Sequence, residues 1–161
     1  MIATLQHLIE ALRNELQQYG EMLALLDHQQ ELVRLEGTDG ILHSISAIDV
    51  QSAAIQAARA NRQLSQRNLA EKLNQAPESA FAQIMPLVPE HYRPLVTALV
   101  QENNELVQRV RQRAQQNHLL LRRSVEMMQR FITTLFPQDC TAPAGPVLAI
   151  QPGPTLYEAI V

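Results

Sequence analysis

The stretch Leu5–Val33, LQHLIEALRNELQQYGEMLALLDHQQELV, decides the fold. Alternating steps of four and three from Leu5 meet Ile9, Leu12, Leu16, Tyr19, Leu23, Leu26, Gln30 and Val33. All but Gln30 are apolar, and a period near 3.5 marks a helix laid along partner helices. The residues between them are mostly Gln, Glu and Arg, strong helix formers that suit a solvated face. A chain built on such a seam works by presenting surfaces, so binding rather than chemistry is the expectation.

Punctuation outward from this seam predicts the remaining elements. The first helix should cover 4–35, carrying Gly20 inside it at a cost of about 1 kcal/mol relative to Ala. Gly37-Thr38-Asp39-Gly40 combines a helix stop with a new cap. A second helix over 40–73 keeps the spacing through Ile41, Ile45, Ile48, Ile55, Leu69 and Leu73. In its middle Arg59, Arg62 and Gln66 hold seam positions, and Leu64 is the one large hydrophobe between Arg59 and Asn68. That stretch is expected to leave the core. Residues 74–94 carry Pro77, Pro86, Pro89 and Pro94. They predict a crossover with one short helix over 77–85, begun by Pro77 and ended by Pro86, whose apolar residues close one end of the bundle.

A third long helix should span 94–136. Its seam reads Val96, Leu99, Asn103, Leu106, Val110, Arg113, Asn117, Leu120, Ser124, Met127 and Phe131. A seam Asn sets register at some expense of stability; otherwise this part of the helix has no partner in the free chain. Beyond Arg123 the hydrophobes broaden to Val125, Met127, Met128, Phe131, Ile132, Leu135 and Phe136, a band wider than a two-helix contact needs.

Composition agrees with an all-α chain. Aromatic residues make up 4%, without Trp, whereas strands favour aromatic and β-branched residues. The 161 residues suit one domain. The expected fold is an elongated antiparallel bundle of three long helices with one short crossover helix, over 1–136. Residues 137–161 hold five of the nine prolines, two acids and no base, and are expected to form a disordered Pro-rich tail. Its apolar finish, Leu156, Tyr157, Ile160 and Val161, is either a docking peptide or an inert terminus.

Charge is unevenly placed. The first 49 residues carry eight acids against Arg13 and Arg34, while 109–130 holds six arginines against Glu126. Opposed charge on two helices favours antiparallel pairing and fixes register. The arginines fall on several faces, aromatics for base stacking are few and the net charge is -3, so nucleic acid is not the expected partner. The single Cys140 allows no internal disulfide, and the sequence has neither a signal-like N-terminus nor an 18-residue apolar run. No membrane insertion and a cytoplasmic location are expected.

The sequence supplies no catalytic constellation. The five histidines lack ligand spacing, and His7 with Glu10 has no matching half on another helix. Gly37 and Gly40 are too few for a phosphate loop. No enzyme activity, cofactor or metal is expected.

Helix order, crossover and tail together resemble the FlgN-type flagellar export chaperones. Asn103-Asn104-Glu105-Leu106 followed by Asn117-His118-Leu119-Leu120-Leu121 is similar to the family's Asn-rich stretch and Leu pair. Pro154-Thr155-Leu156-Tyr157 is similar to its Leu-Tyr element, although Glu158 stands where the family commonly has Gly. The resemblance implies a cytosolic type III secretion chaperone. Such a protein binds the C-terminal segments of hook–filament junction proteins, prevents their premature assembly and delivers them to the export gate. It implies gate docking through Leu156 and Tyr157, with no cofactor. Client C-termini of this kind are amphipathic helices, so Met127, Met128, Phe131, Ile132, Leu135 and Phe136 form the candidate client groove. The competing reading packs that band against Leu5, Leu8 and Ile9. A structural coiled-coil adaptor is the alternative function, and a homodimer is compatible with either.

Overall fold

A computed structural model describes residues 1–35 and 38–135, with the side chains of 38, 39 and 135 outside the description. Helix α1 spans Ile2–Arg34, α2 Thr38–Lys72, α3 Phe81–Ile84 and α4 Arg93–Leu135. Two 3₁₀ turns, Met85–Leu87 and Glu90–Tyr92, complete the crossover. No strand occurs among the described residues.

Helix α1 is the axis of the bundle and packs along both α2 and α4. Contacts to α2 pair Gln29 with Ser44, Gln18 with Gln51 and Glu15 with Arg62, so the two helices run antiparallel. Contacts to α4 pair Leu12 with Asn103 and Leu26 with Asn117, so α4 runs parallel to α1 and antiparallel to α2. The antiparallel pairing expected from opposed charge on the first and last helices is therefore corrected. An ion pair that joins these two helices, Arg113 with Asp27 at 2.9 Å, sits in a parallel arrangement.

This central placement changes which residues of α1 are buried. Leu5, Leu12, Tyr19 and Leu26 are buried as the seam predicts. The next seam members, Leu16, Leu23 and Gln30, are only half-buried, whereas Leu8, Glu15, Met22 and Gln29 are fully enclosed. A helix with one partner buries one stripe; a helix between two partners buries a wider one.

The polar middle of α2 stays in the bundle, against the expectation that it leaves the core. Ala58 and Ser65 are buried, and Arg62 reaches Glu15 at 2.7 Å while also donating to Gln66. Gln66 in turn donates to the carbonyl of Ser79 at 2.9 Å, tying the crossover to α2. Polar side chains long enough to find partners take the place of hydrophobes here.

Helix α2 ends with Asn74 at φ 55°, the left-handed position of a Schellman turn in which Gln75 N–H bonds to Ala70 O. Pro77 lies ahead of α3 rather than inside it, so the short helix is four residues instead of the expected 77–85. The Ala80 N–H donates to the Gln83 side chain at its start. Ile84 and Val88 then close one end of the core against Leu5, Leu8, Leu69 and Val96. Arg93 fixes the start of α4 by donating to the carbonyls of Val88 and Pro86.

Candidate functional site

The register between α1 and α4 decides what the far end of α4 can do. Asn103 Nδ2 donates to Leu12 O at 3.0 Å and Asn117 Nδ2 to Leu26 O at 2.7 Å, each across an offset of 91 residues. At that offset α4, 43 residues long, runs past α1, which is 33. Arg34 ends α1, and every described side chain of α4 from Arg122 to Thr134 is exposed. This exposed stretch is roughly 20 Å long, and its part past the level of Arg34, residues 126–135, is about 15 Å.

Two of its apolar residues, Met128 and Phe131, continue the face that packs on α1. Heptad steps from the buried Ala114 lead to Leu121 and Met128, and from Asn117 to Ser124 and Phe131. Val125 and Ile132 flank that line. Met128 is 57% exposed and Phe131 63%, so a seam that is core lower down is bare here, while Ile132, 51% exposed, lies in line with Arg111 and His118, which are exposed as well. Met127 lies on the edge of the band and is also exposed. The competing reading, in which the band packs against Leu5, Leu8 and Ile9, is corrected. Parallel α1 puts those residues at the opposite end of the bundle, against Ile84, Val88 and Val96.

Of the candidate client residues the structure therefore brings Met127, Met128, Phe131 and Ile132 together on one free segment. The Leu135 side chain and Phe136 lie outside the described residues, as do Leu156 and Tyr157 of the candidate docking element. Val125 joins the stripe although the candidate set omitted it; its place one helical turn before Met128 was the available signal.

Lower in the bundle lies a buried polar cluster that the seam reading missed. Glu15, 3% exposed, accepts from Arg62 Nε at 2.7 Å and from the Tyr19 hydroxyl at 3.1 Å. Burial, then the neighbouring Glu15 carboxylate, pushes the Tyr19 phenol up to about 12, with Arg59 pulling the other way. A phenol held neutral and committed to a carboxylate is a structural donor. Among the described residues there is no group of His, Cys, Asp and Glu that could hold a metal, and no helix long and apolar enough to cross a membrane.

The fold is an all-α bundle whose longest helix carries part of its packing face beyond its partner and leaves it bare. The chain belongs to the FlgN family: the FlgN protein family model matches residues 1–141. That is a family of flagellar export chaperones, not of enzymes. No curated protein and no solved structure matches the chain.

Proposed function

We propose that this chain is a cytosolic type III secretion chaperone whose α4 overhang holds the C-terminal helices of flagellar hook–filament junction proteins. The observation that carries this reading is the exposed pair Met128 and Phe131, in heptad register with Asn103, Val110, Ala114 and Asn117, which are buried against α1, together with the exposed Val125 and Ile132 beside them. A client helix laid on it takes the position α1 occupies below, a helix-in-groove mode of recognition. Met127 and Met128 suit several clients, because an unbranched thioether side chain repacks easily. Covered in this way, a client cannot use the same apolar face to assemble prematurely.

Delivery is assigned to the tail. Leu156 and Tyr157 dock the loaded chaperone on the export gate, leaving α4 to the client. A pull-down from a flagellated cell lysate tests both roles, using the full chain and a full chain with Leu156→Ala and Tyr157→Ala. Junction proteins should be recovered with both baits and the gate protein with the unsubstituted one alone. Recovery of neither partner, with the bait mainly capturing itself, would replace this reading with a structural coiled-coil adaptor.

A further inference from the structure

Helices α2 and α4 both pack on α1, and a cavity of about 470 Å³ opens between them above Leu12, Glu15 and Tyr19. Three arginines line it, Arg59 and Arg62 from α2 and Arg111 from α4, and they face one carboxylate, Glu15. Arg62 is committed to Glu15. Neither Arg59 nor Arg111 has a hydrogen bond or ion pair with another described residue. The rest of the lining includes apolar side chains, among them Phe81, Val100 and Val107. Two arginines on separate helices, neither hydrogen-bonded nor ion-paired to a described residue, therefore line one cavity together with apolar side chains.

We infer that this cavity is a second binding site, for a peptide segment of a partner protein in which an acidic side chain stands beside an apolar one. A guanidinium presents its donors in a planar fork that matches a carboxylate, so Arg59 and Arg111 hold the acid. Phe81, Val100 and Val107 take the neighbouring aliphatic group, a contact that a free inorganic anion leaves unused. The site is independent of the client reading given above. Arg111 lies about 17 Å along α4 from the start of the exposed stretch at Arg122, so one site can be occupied or lost without the other.

The test is an NMR titration of the full chain, following the arginine Nε–H resonances. The probes are a blocked eight-residue peptide of leucine, alanine and one glutamate, its glutamine counterpart, and inorganic phosphate. The glutamate peptide should shift Arg59 and Arg111 saturably and bind at least about tenfold more tightly than the glutamine peptide, the loss expected for charge-assisted hydrogen bonds. Arg59→Gln with Arg111→Gln should remove that preference. Arg111→Gln alone, at an exposed position, should weaken it and leaves the fold intact as a control. Absence of shifts, equal binding of the two peptides, binding that survives the double substitution, or the same shifts from phosphate at the same concentration would each overturn the assignment.

Discussion

The Nδ2 of Asn117 lies 2.7 Å from the carbonyl oxygen of Leu26, and it also donates to the Gln29 side chain at 3.1 Å. Asn103 repeats the carbonyl contact with Leu12 two heptads earlier, and its second bond goes to the carbonyl of Leu99 rather than to a side chain; in both residues the Oδ1 is buried without a partner. The two asparagines together fix α4 at one register on α1. That register leaves the end of α4 bare.

Their energetics differ in a measurable way. Asn103→Leu should leave stability unchanged or raise it, since an apolar side chain replaces a half-satisfied amide and the carbonyls it leaves, those of Leu12 and Leu99, lie inside helices and keep their helical bonds. Asn117→Leu should lose about 1–2 kcal/mol, because the buried Gln29 Oε1 loses its donor. Urea unfolding of the two variants checks the order, and a larger loss at Asn103 would contradict it.

Removing Arg62 isolates a buried carboxylate. Arg62→Ala should cost about 3 kcal/mol, whereas Glu15→Leu combined with Arg62→Leu should fall close to the parent, because the desolvation of both charges is relieved together. Chemical denaturation of the single and double variants separates these outcomes.

Tyr19 sets the alkaline limit. Its folded value, about 12, lies above the ordinary 10.0, so the native state holds a proton that the unfolded chain releases. The stability from this group is fully present below pH 10 and is lost as pH rises from 10 toward 12. The loss amounts to about 3 kcal/mol. Tyr19→Phe should remove this part of the decline. In a tyrosinate absorbance titration it should also remove a component that titrates near 12.

Gly20 sits within α1 with a helical backbone, and a methyl group placed there would meet nothing within 4 Å. Gly20→Ala should stabilise the chain by up to about 1 kcal/mol, read from the thermal midpoint. Gly40 is different: an added Cβ would press to 3.0 Å from Leu32 Cδ2, where α1 and α2 meet near their connection.

Much of this architecture is legible in the spacing of hydrophobes. The seam residues Leu5, Leu12, Tyr19 and Leu26 on α1, and Val96, Leu99 and Val110 on α4, are buried where the heptad places them. The burial of Glu15 and Gln29 was not legible, because a seam describes one contact and α1 makes two. Arg62 and Gln66 looked like residues for solvent because their partners, Glu15 and the Ser79 carbonyl, are distant in sequence. The proposed client band was visible as an excess of hydrophobes. Its freedom depended on the register of α4, and that is set partly by main-chain carbonyls, which carry no sequence signature. Arg59 and Arg111 became a pair only once α2 and α4 were placed on either side of one gap.

The overhang as client surface is the central claim, and calorimetry tests it most directly. A C-terminal peptide of a hook–filament junction protein is titrated into the full chain and into the variant carrying Met128→Asp and Ile132→Asp. Both positions are more than half exposed, so the thermal unfolding midpoint should stay unchanged. Affinity should fall by about 100-fold or more, the loss expected when two apolar contacts are replaced by charge. Undiminished affinity in a folded variant, or unfolding of the variant itself, would contradict the account.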